Sequence, residues 1–314
     1  MPTADAVSRG VAAEEHLALF STEAFHGLNL SAGQSALRID HVADERLVGS
    51  LVGVIEGGTF RSGHSAPFGG PDFARETETT RNVVDALTAA VARLDADGVE
   101  RIEVRARPAF YSGSEASVQF ALLNLGFAVE RCELNFHIEL DGIAGSDDYV
   151  ARLRSPARRA LRHALEEPFA FAEATDDEAW ARGYGVLADN RRAKDRRLAL
   201  PLDYLRRARE AFPGRVRMFL MTHDGWPCAA ALLYRVVPRR ELVVYWGDAG
   251  HQLPRSPMNL LALRLVETVA AEGATTLDLG ISSVDGVPDQ GLIQFKRSVL
   301  ARESLRLDLA RTAP

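Results

Sequence analysis

The sequence has few cysteines, no long hydrophobic run and no basic leader. Its 314 residues include only Cys132 and Cys228, too few for a disulfide framework. This favours a reducing compartment, the cytoplasm, and two buried small side chains. No apolar run approaches the ~18 residues that a membrane-spanning helix needs, so we expect no integral membrane segment. The first residues, MPTADAVSRGVAAEEH, lack a basic segment followed by an apolar core, so a secretory signal is not expected.

Positive net charge and metal-ligand spacing are also lacking. The formal net charge is −6, so the protein as a whole is not built to bind nucleic acid. The eight histidines are scattered without a spacing such as HExxH, so we expect no metal site and no certain cofactor. There is no GxSxG segment and no Ser/His/Asp pattern, which favours direct attack over a covalent enzyme intermediate.

What the sequence does have is an ordinary globular composition, with 46% hydrophobic and 25% charged residues, and a length of about two domains of ~150 residues. The first half predicts a strand pair at 36–58, a helix at 77–94, a strand at 99–106, a helix at 115–127 and a strand at 130–140. The second half predicts a hairpin at 215–237, a strand at 241–249, a helix at 256–273, a strand at 275–281, a helix at 289–300 and a strand at 303–309.

These two halves repeat one plan without a gap. Gly98 and Gly273, which each end a helix before a strand, are 175 residues apart, and Phe120 matches Phe295 at the same offset. Helix, strand, helix and strand keep this register, which is typical of an internal duplication. We therefore predict two α/β domains in tandem, at residues 1–145 and 146–314.

One position differs sharply between the copies. The helix DQGLIQFKRSVL carries Lys296 among apolar residues at helical spacing, whereas the matching residue of the first copy is Ala121. Packing at that position needs only a small apolar side chain, so the lysine indicates chemistry in the second domain. The alternative is a lysine whose stem bends outward to water.

Three segments together resemble the FemABX family of aminoacyl transferases and, more broadly, the FemAB-like branch of the GNAT acyltransferase superfamily. They are LDLGISSVDGVPDQGLIQFKRSVL, YWGDAGHQLPRSPMNLL and HSAPFGGP. The most specific signal is a strand ending in LDLG, a loop, and then GLxxFK, which contains Gly291, Phe295 and Lys296. The resemblance implies a tandem pair of GNAT-like domains, each a mixed, mostly antiparallel sheet flanked by helices. This agrees with the repeat found above.

The family resemblance implies transfer of an aminoacyl group from a charged tRNA to an amine of a peptidoglycan precursor. Relatives use other activated donors, and the acceptor here is then a cell-wall precursor, a polysaccharide amine or a small metabolite. The sequence departs from the ordinary GNAT pattern, because no Q/R-x-x-G-x-G/A loop precedes the helix at 256–273. Two alternatives stay open: an acyl-CoA-dependent N-acetyltransferase, and a catalytically silent GNAT-pair binding protein.

Acyl transfer to an amine requires stabilisation of the negative charge that develops on the carbonyl oxygen. The resemblance assigns this role, or stabilisation of the departing oxygen, to Lys296. Candidates for a general base, if one acts, are Asp72 after HSAPFGGP, Tyr245 in the strand where a GNAT sheet splays, and Asp278. Each of the three also has a structural interpretation.

The predicted substrate-binding residues are Gly291 and Phe295 of the motif, the pair Gly69-Gly70, and residues at two helix starts. Gly69-Gly70 permits a close backbone approach to a ligand, or forms a plain turn.

Ser155-Pro156 and Ser256-Pro257 predict serine-capped helices whose N-termini suit phosphate. Asn259 lies behind the second serine, and Arg158 and Arg162 lie on the polar face of the first helix. These groups suit a diphosphate or an RNA backbone, or form a solvated surface.

Overall fold

The described residues of a computed structural model, 14–250 and 255–313, form two units. Unit 1 comprises the described residues up to 106 together with 112–128 and 309–313, and unit 2 comprises 107–111 and 129–308. The domain boundary between residues 145 and 146 stays a prediction. In the part of the chain that the structure describes, no helix is long and apolar enough to cross a membrane.

Unit 1 is a small sheet with helices. Its helices are α1 (Glu23–Asn29), α2 (Thr80–Ala96) and α3 (Glu115–Asn124), and its strands are β1 (Ala36–Ala43), β2 (Arg46–Glu56), β3 (Thr59–Ser62), β4 (Pro71–Phe73) and β5 (Arg101–Arg105). The order β1-β2-β3-β5 has β4 added beside β2. Only β3 and β5 are parallel among these registered pairs.

The helix α2 shows why these residues fold as they do. The Thr79 side chain accepts a hydrogen bond from the Asn82 backbone N–H and so satisfies a donor that the first turn leaves open. Val83, Leu87 and Val91 recur every fourth residue and are buried on one face.

Unit 2 is a larger sheet flanked by helices. Its strands are β6 (Ala128–Glu139), β7 (Phe169–Glu173), β8 (Val216–His223), β9 (Trp226–Val237), β10 (Arg240–Asp248), β11 (Thr276–Ile281), the short pair β12 (Ser283–Val284) and β13 (Val287–Pro288), and β14 (Arg302–Thr312), which ends in unit 1. Its helices are α4 (Ser146–Arg152), α5 (Ser155–Leu165), α6 (Asp177–Ala193), α7 (Leu202–Ala211), α8 (Met258–Ala271) and α9 (Gln290–Ser298).

The order of the unit 2 sheet is β14-β6-β11-β10-β9-β8-β7. The pair β10 and β11 is parallel, and the other registered pairs of this sheet are antiparallel. The hairpin predicted at 215–237 is confirmed: Asp224 and Gly225 form its turn, with φ of 48° and 80°. Its core includes Leu261 and Leu265 of α8, both fully buried.

The register predicted from the repeat is confirmed. β5 begins at residue 101 and β11 at 276, and α3 begins at 115 and α9 at 290, so both pairs are 175 residues apart. Ala121 and Lys296 occupy the same position of their helices, and both are buried. One local expectation was wrong: Cys132 is exposed, because β6 buries only its second half.

Candidate functional site

The Lys296 side chain is buried inside unit 2, with 1% of its surface exposed. It projects from α9, a helix that Asp289 caps by accepting a hydrogen bond from the Leu292 N–H at 3.0 Å. Its Nζ donates hydrogen bonds to the carbonyl oxygens of Gly280 at 2.8 Å and Ile281 at 2.9 Å. The alternative of a lysine that bends out to water is therefore wrong.

Burial changes the protonation of this amine. The pKa of Lys296 falls from 10.5 to about 7, chiefly because burial penalises the charged form, while the carboxylates of Asp278 and Asp289 oppose the shift. The guanidinium of Arg191 lowers the pKa further. The Nζ also lies 5.6 Å from the ring centroid of Phe136, a distance at which an aromatic face favours the cation.

Among the residues that the structure describes, two carbonyls are the hydrogen-bond partners of the Nζ, and they leave one of its hydrogen-bonding positions unused in either protonation state. A neutral amine has two N–H donors, which the two carbonyls accept, and its lone pair remains. An ammonium has three donors, so one N–H remains. Lys296 can therefore make one further hydrogen bond at any pH, as a donor when it is charged and as an acceptor when it is neutral.

Asp278 fixes the backbone that holds this lysine. Its side chain is fully enclosed in unit 2 and accepts hydrogen bonds from the Gly280 N–H, the Asn135 side-chain amide and the Tyr111 hydroxyl, at 2.8, 2.8 and 2.9 Å. Burial raises the pKa of Asp278 even though these hydrogen bonds oppose the shift. The same burial, with the nearby Asp278 charge, raises the pKa of Tyr111 well above its usual value.

The sheet opens beside this group. The parallel register of β10 and β11 ends at the pair Leu242 and Asp278. A bulge follows in each strand, between Val243 and Tyr245 in β10 and between Asp278 and Gly280 in β11. Bulges re-aim side chains and are common next to active sites. We call the opening between β10 and β11 beyond this last pair the notch.

Tyr245 lies on β10 at the notch. Burial raises its pKa, and hydrogen bonding from the Ala199 backbone together with the charge of Arg191 opposes the shift. The Arg191 guanidinium lies 5.0 Å from the centroid of the tyrosine ring. The neighbouring Trp246 ring packs on Phe295 of α9 at 5.3 Å between centroids. Lys296, Tyr245, Asp278 and Phe295 thus all belong to the two strands and the helix that border the notch.

The remaining motif residues have other surroundings. Gly291 is exposed in the first turn of α9. Gly69 and Gly70 lie in unit 1, where an added Cβ at Gly69 would come within 2.3 Å of the Gly63 nitrogen and Gly70 has φ of +96°. The close approach at Gly69 is therefore to the protein's own backbone. Asp72 is buried on β4 opposite Ser50, also in unit 1. A role in binding or catalysis stays a prediction for these residues.

The predicted serine caps are wrong. Arg154 is the N-cap of α5 and Pro257 that of α8, and neither helix has a side-chain cap. Ser155 already lies inside its helix, and Ser256 only reaches the Met258 N–H at 3.5 Å. Both serines precede a proline, whose fixed φ fits the first turn without help from a cap.

The other residues predicted to bind phosphate are two arginines and one asparagine. Arg158 donates to the carbonyls of Ala151 and Leu153, so it supports the chain entering α5. Arg162 is exposed on the same helix. Asn259 is half-buried, and its Oδ1 is enclosed without a hydrogen-bond donor among the described residues. Their binding roles stay predictions.

Sequence reasoning missed Tyr111, Asn135 and Arg191. The first two reach Asp278 across 167 and 143 residues of chain. No local pattern marks such partners. Arg191 belongs to the basic segment NRRAKDRR, whose composition alone does not indicate a place beside Tyr245. Groups of three or more metal-ligating side chains do not occur among residues 14–250 and 255–313.

Comparisons with known proteins agree with this architecture. A family model described as "Acetyltransferase (GNAT) domain" matches residues 151–297. The crystal structure of FemX is 14% identical and superposes with a TM-score of 0.72, covering 94% of this chain and 92% of FemX.

Two further solved structures are similar. The C-terminal domain of a putative lysylphosphatidylglycerol synthetase from Agrobacterium fabrum is 13% identical, with a TM-score of 0.55 over 85% of this chain and 81% of its own. A tandem GNAT protein from the clavulanic acid biosynthesis pathway is 12% identical, with a TM-score of 0.51 over 91% and 85%. No curated protein sequence matches this chain. The predicted tandem GNAT-like fold is confirmed.

Proposed function

We propose that this chain, which is an acyltransferase with a GNAT domain in a FemX-like fold, transfers an acyl or aminoacyl group directly from an activated, phosphate-bearing donor to an amine. The observation that carries the proposal is the buried Lys296 next to the notch. Its Nζ is held by two backbone carbonyls and can make one further hydrogen bond.

The reaction asks little of the protein beyond geometry and charge. The neutral acceptor nitrogen attacks the acyl carbonyl carbon, and a C–N bond forms. The bond from that carbon to the ester oxygen or thioester sulfur of the donor then breaks, and the amine proton leaves with the donor group. The third N–H of a protonated Lys296 donates to the oxyanion of the intermediate or to the departing oxygen. Such a donor is worth about 100-fold or more in rate.

Lysine suits this task better than arginine here. Only two of the chain's 37 basic residues are lysines, Lys194 and Lys296. An arginine stays charged at any accessible pH and needs partners for five donors, whereas a lysine of lowered pKa tolerates burial between two carbonyls. In a chain that otherwise uses arginine almost throughout, the buried Lys296 is a departure that fits this role.

Asp278 and Tyr245 take different roles in this proposal. Because both oxygens of Asp278 already accept hydrogen bonds, we assign it to positioning Gly280 and thereby Lys296. Tyr245 at the notch is the candidate to relay the proton between the amine and the leaving group. Tyr245→Phe tests this relay: transfer that proceeds at the wild-type rate would remove it. Asp72, buried on β4 of unit 1, remains a candidate base.

The donor we favour is an aminoacyl-tRNA, and the acceptor is an amine of a cell-wall precursor, a polysaccharide or a small metabolite in the cytoplasm. The FemX-like fold supports this donor, and so does the lack of a Q/R-x-x-G-x-G/A segment before α8. The second candidate is an acyl-CoA-dependent N-acetyltransferase, which the match of residues 151–297 to an acetyltransferase domain favours. In that case Ser256 and Asn259 at the start of α8 contact the CoA phosphates.

Thermal shift and mass spectrometry with three ligands distinguish the donors. We expect a charged tRNA mixture and a UDP-linked muropeptide to raise the unfolding temperature, and the pair to yield an acylated acceptor. Stabilisation by acetyl-CoA alone, with acetylation of an amine, would support the second candidate and contradict the first. If no ligand stabilises the protein and no product forms, a silent binding protein is the better description.

A further inference from the structure

A second pocket in unit 2 is lined mainly by arginines. Its volume is about 330 Å³, and its charged lining consists of Arg152, Arg154, Arg297, Arg302 and Glu139. The first two come from the α4–α5 junction, Arg297 from the end of α9, Arg302 from the start of β14 and Glu139 from the end of β6. Two segments that are distant in sequence, 152–154 and 297–302, therefore bring basic groups to one concavity. We call it the arginine pocket.

The arginine pocket is separate from the notch. Glu139 pairs with Thr276 at the first residue of β11, whereas Lys296 contacts Gly280 and Ile281 at the last residues of that strand. The pocket thus lies at the opposite end of β11.

The carboxylates around the pocket do not complete the arginines' hydrogen bonding. Arg152 pairs with Asp148 at 2.7 Å and Arg302 with Glu139 at 2.5 Å, and the Arg297 Nε donates to Glu303 at 2.6 Å. Arg152 also donates to the Gly142 carbonyl. A guanidinium has five N–H donors, so each of the three arginines still keeps unused donors.

Among the four arginines of the pocket, Arg154 is the one whose side chain has no partner within the described residues. Its guanidinium makes no hydrogen bond or ion pair with residues 14–250 or 255–313. It is also the N-cap residue of α5, an eleven-residue helix whose first turn has no side-chain cap. The positive end of the helix dipole adds to the positive charge there.

We propose that the arginine pocket binds phosphate groups. Four guanidiniums line it. Three of them pair with the carboxylates of Asp148, Glu139 and Glu303, so the Arg154 guanidinium is the excess positive charge that calls for an anion. Arginine forks match phosphate oxygens in pairs, and several forks suit a polyvalent anion better than a single carboxylate. The volume is near the lower end of small-molecule sites, which suits a ligand of diphosphate size. The proposal does not depend on which acyl group the notch transfers.

Titration calorimetry of the full chain with inorganic pyrophosphate at low ionic strength tests this proposal. We expect binding to wild type, about tenfold weaker binding to Arg154→Ala, and wild-type affinity in Arg159→Ala, which removes an exposed arginine of α5 outside the pocket lining. Because Arg154 has no internal partner, its loss leaves the unfolding temperature unchanged. The affinity of Arg302→Ala should fall as well.

Two results would overturn the assignment: no pyrophosphate binding to wild type, or equal affinity in wild type, Arg154→Ala and Arg302→Ala. Lys296→Ala should lower the transfer rate about 100-fold or more yet leave pyrophosphate binding intact, which separates this site from the proposed reaction. Competition by coenzyme A, a UDP-sugar or a short RNA then identifies the source of the phosphate. The class of ligand is identified by the competitor that displaces pyrophosphate from the wild-type protein but does not displace the weaker pyrophosphate binding that remains in Arg154→Ala.

Discussion

The Nζ of Lys296 lies 2.8 Å from the carbonyl oxygen of Gly280, whose own N–H is held at 2.8 Å by Asp278. Gly280 has φ of +72°, a conformation that residues with a side chain rarely adopt. The backbone at the end of β11 therefore fixes the position of the Lys296 Nζ, and Asp278 fixes the conformation of that backbone. Lysine, glycine and aspartate act as one unit.

Replacing one acceptor oxygen of Asp278 should disturb the lysine without removing it. In Asp278→Asn, the remaining oxygen can still accept from the Gly280 N–H and the Asn135 amide. The new NH2 group cannot accept from the Tyr111 hydroxyl, so we expect the transfer rate to fall about tenfold or more. Loss of the carboxylate also lowers the pKa of Lys296, because Asp278 raises it. The pH at which activity declines should therefore move downward.

The measurement for Asp278 is the pH dependence of kcat/KM, with the exposed Asp203→Asn as the matched control. A rate loss with an unmoved pH profile would indicate a purely structural role for Asp278.

The buried amine should also make stability depend on pH. The pKa of Lys296 is about 7 in the folded protein and 10.5 in its ordinary state, so between these values the unfolded chain binds more protons. The free energy of unfolding then rises with pH, by about 2 kcal/mol between pH 7 and 9 from this group. The pKa values of His26 and His137 are lowered, so these groups change the free energy of unfolding mainly below pH 7.

Lys296→Met isolates that contribution. We expect urea unfolding at pH 7 and pH 9 to show about 2 kcal/mol more gain for wild type than for the methionine variant. The pKa of Cys228 is raised to about 11, so this thiol lowers the free energy of unfolding above pH 9. It does so in both proteins, and its contribution cancels in the comparison. Equal gains in the two proteins would mean that the lysine is not buried as described.

Two glycines of α6 offer a matched packing test. An added Cβ at Gly183 would lie 2.9 Å from Met218 Cγ, whereas nothing lies within 4 Å of one at Gly185. Gly185→Ala should stabilise the protein by about 0.5 to 1 kcal/mol, because alanine is the better helix former. Gly183→Ala should destabilise it by about 1 to 3 kcal/mol, because it crowds the β8 face. Thermal unfolding of both variants tells whether α6 packs on the sheet in this register.

The repeat predicted the fold well because its signal is local. Helix stops such as Gly98 and Gly273 and the apolar faces between them depend on neighbours within a few residues. The starts of β5 and β11, and those of α3 and α9, therefore kept the expected offset of 175. Lys296 was recognisable for the same reason, as a charge at a position where Ala121 shows that a small apolar residue suffices.

The rest of the site depends on distant pairing. Tyr111 and Asn135 meet Asp278 only because β6 lies beside β11 and the loop before α3 reaches the same end of the sheet. The serine caps failed for a different reason. A proline after the serine already favours the first turn, and the chain begins α5 one residue earlier than the pattern indicates.

The most direct test compares the two lysines of the chain. Lys296→Ala and Lys194→Ala each remove one ammonium, but Lys194 is exposed at the end of α6 and Lys296 is buried beside the notch. Single-turnover transfer rates with the donor found by thermal shift should fall about 100-fold or more in Lys296→Ala and stay within about twofold of wild type in Lys194→Ala. Equal transfer rates in the two folded variants would contradict a role for Lys296 in stabilising the developing charge.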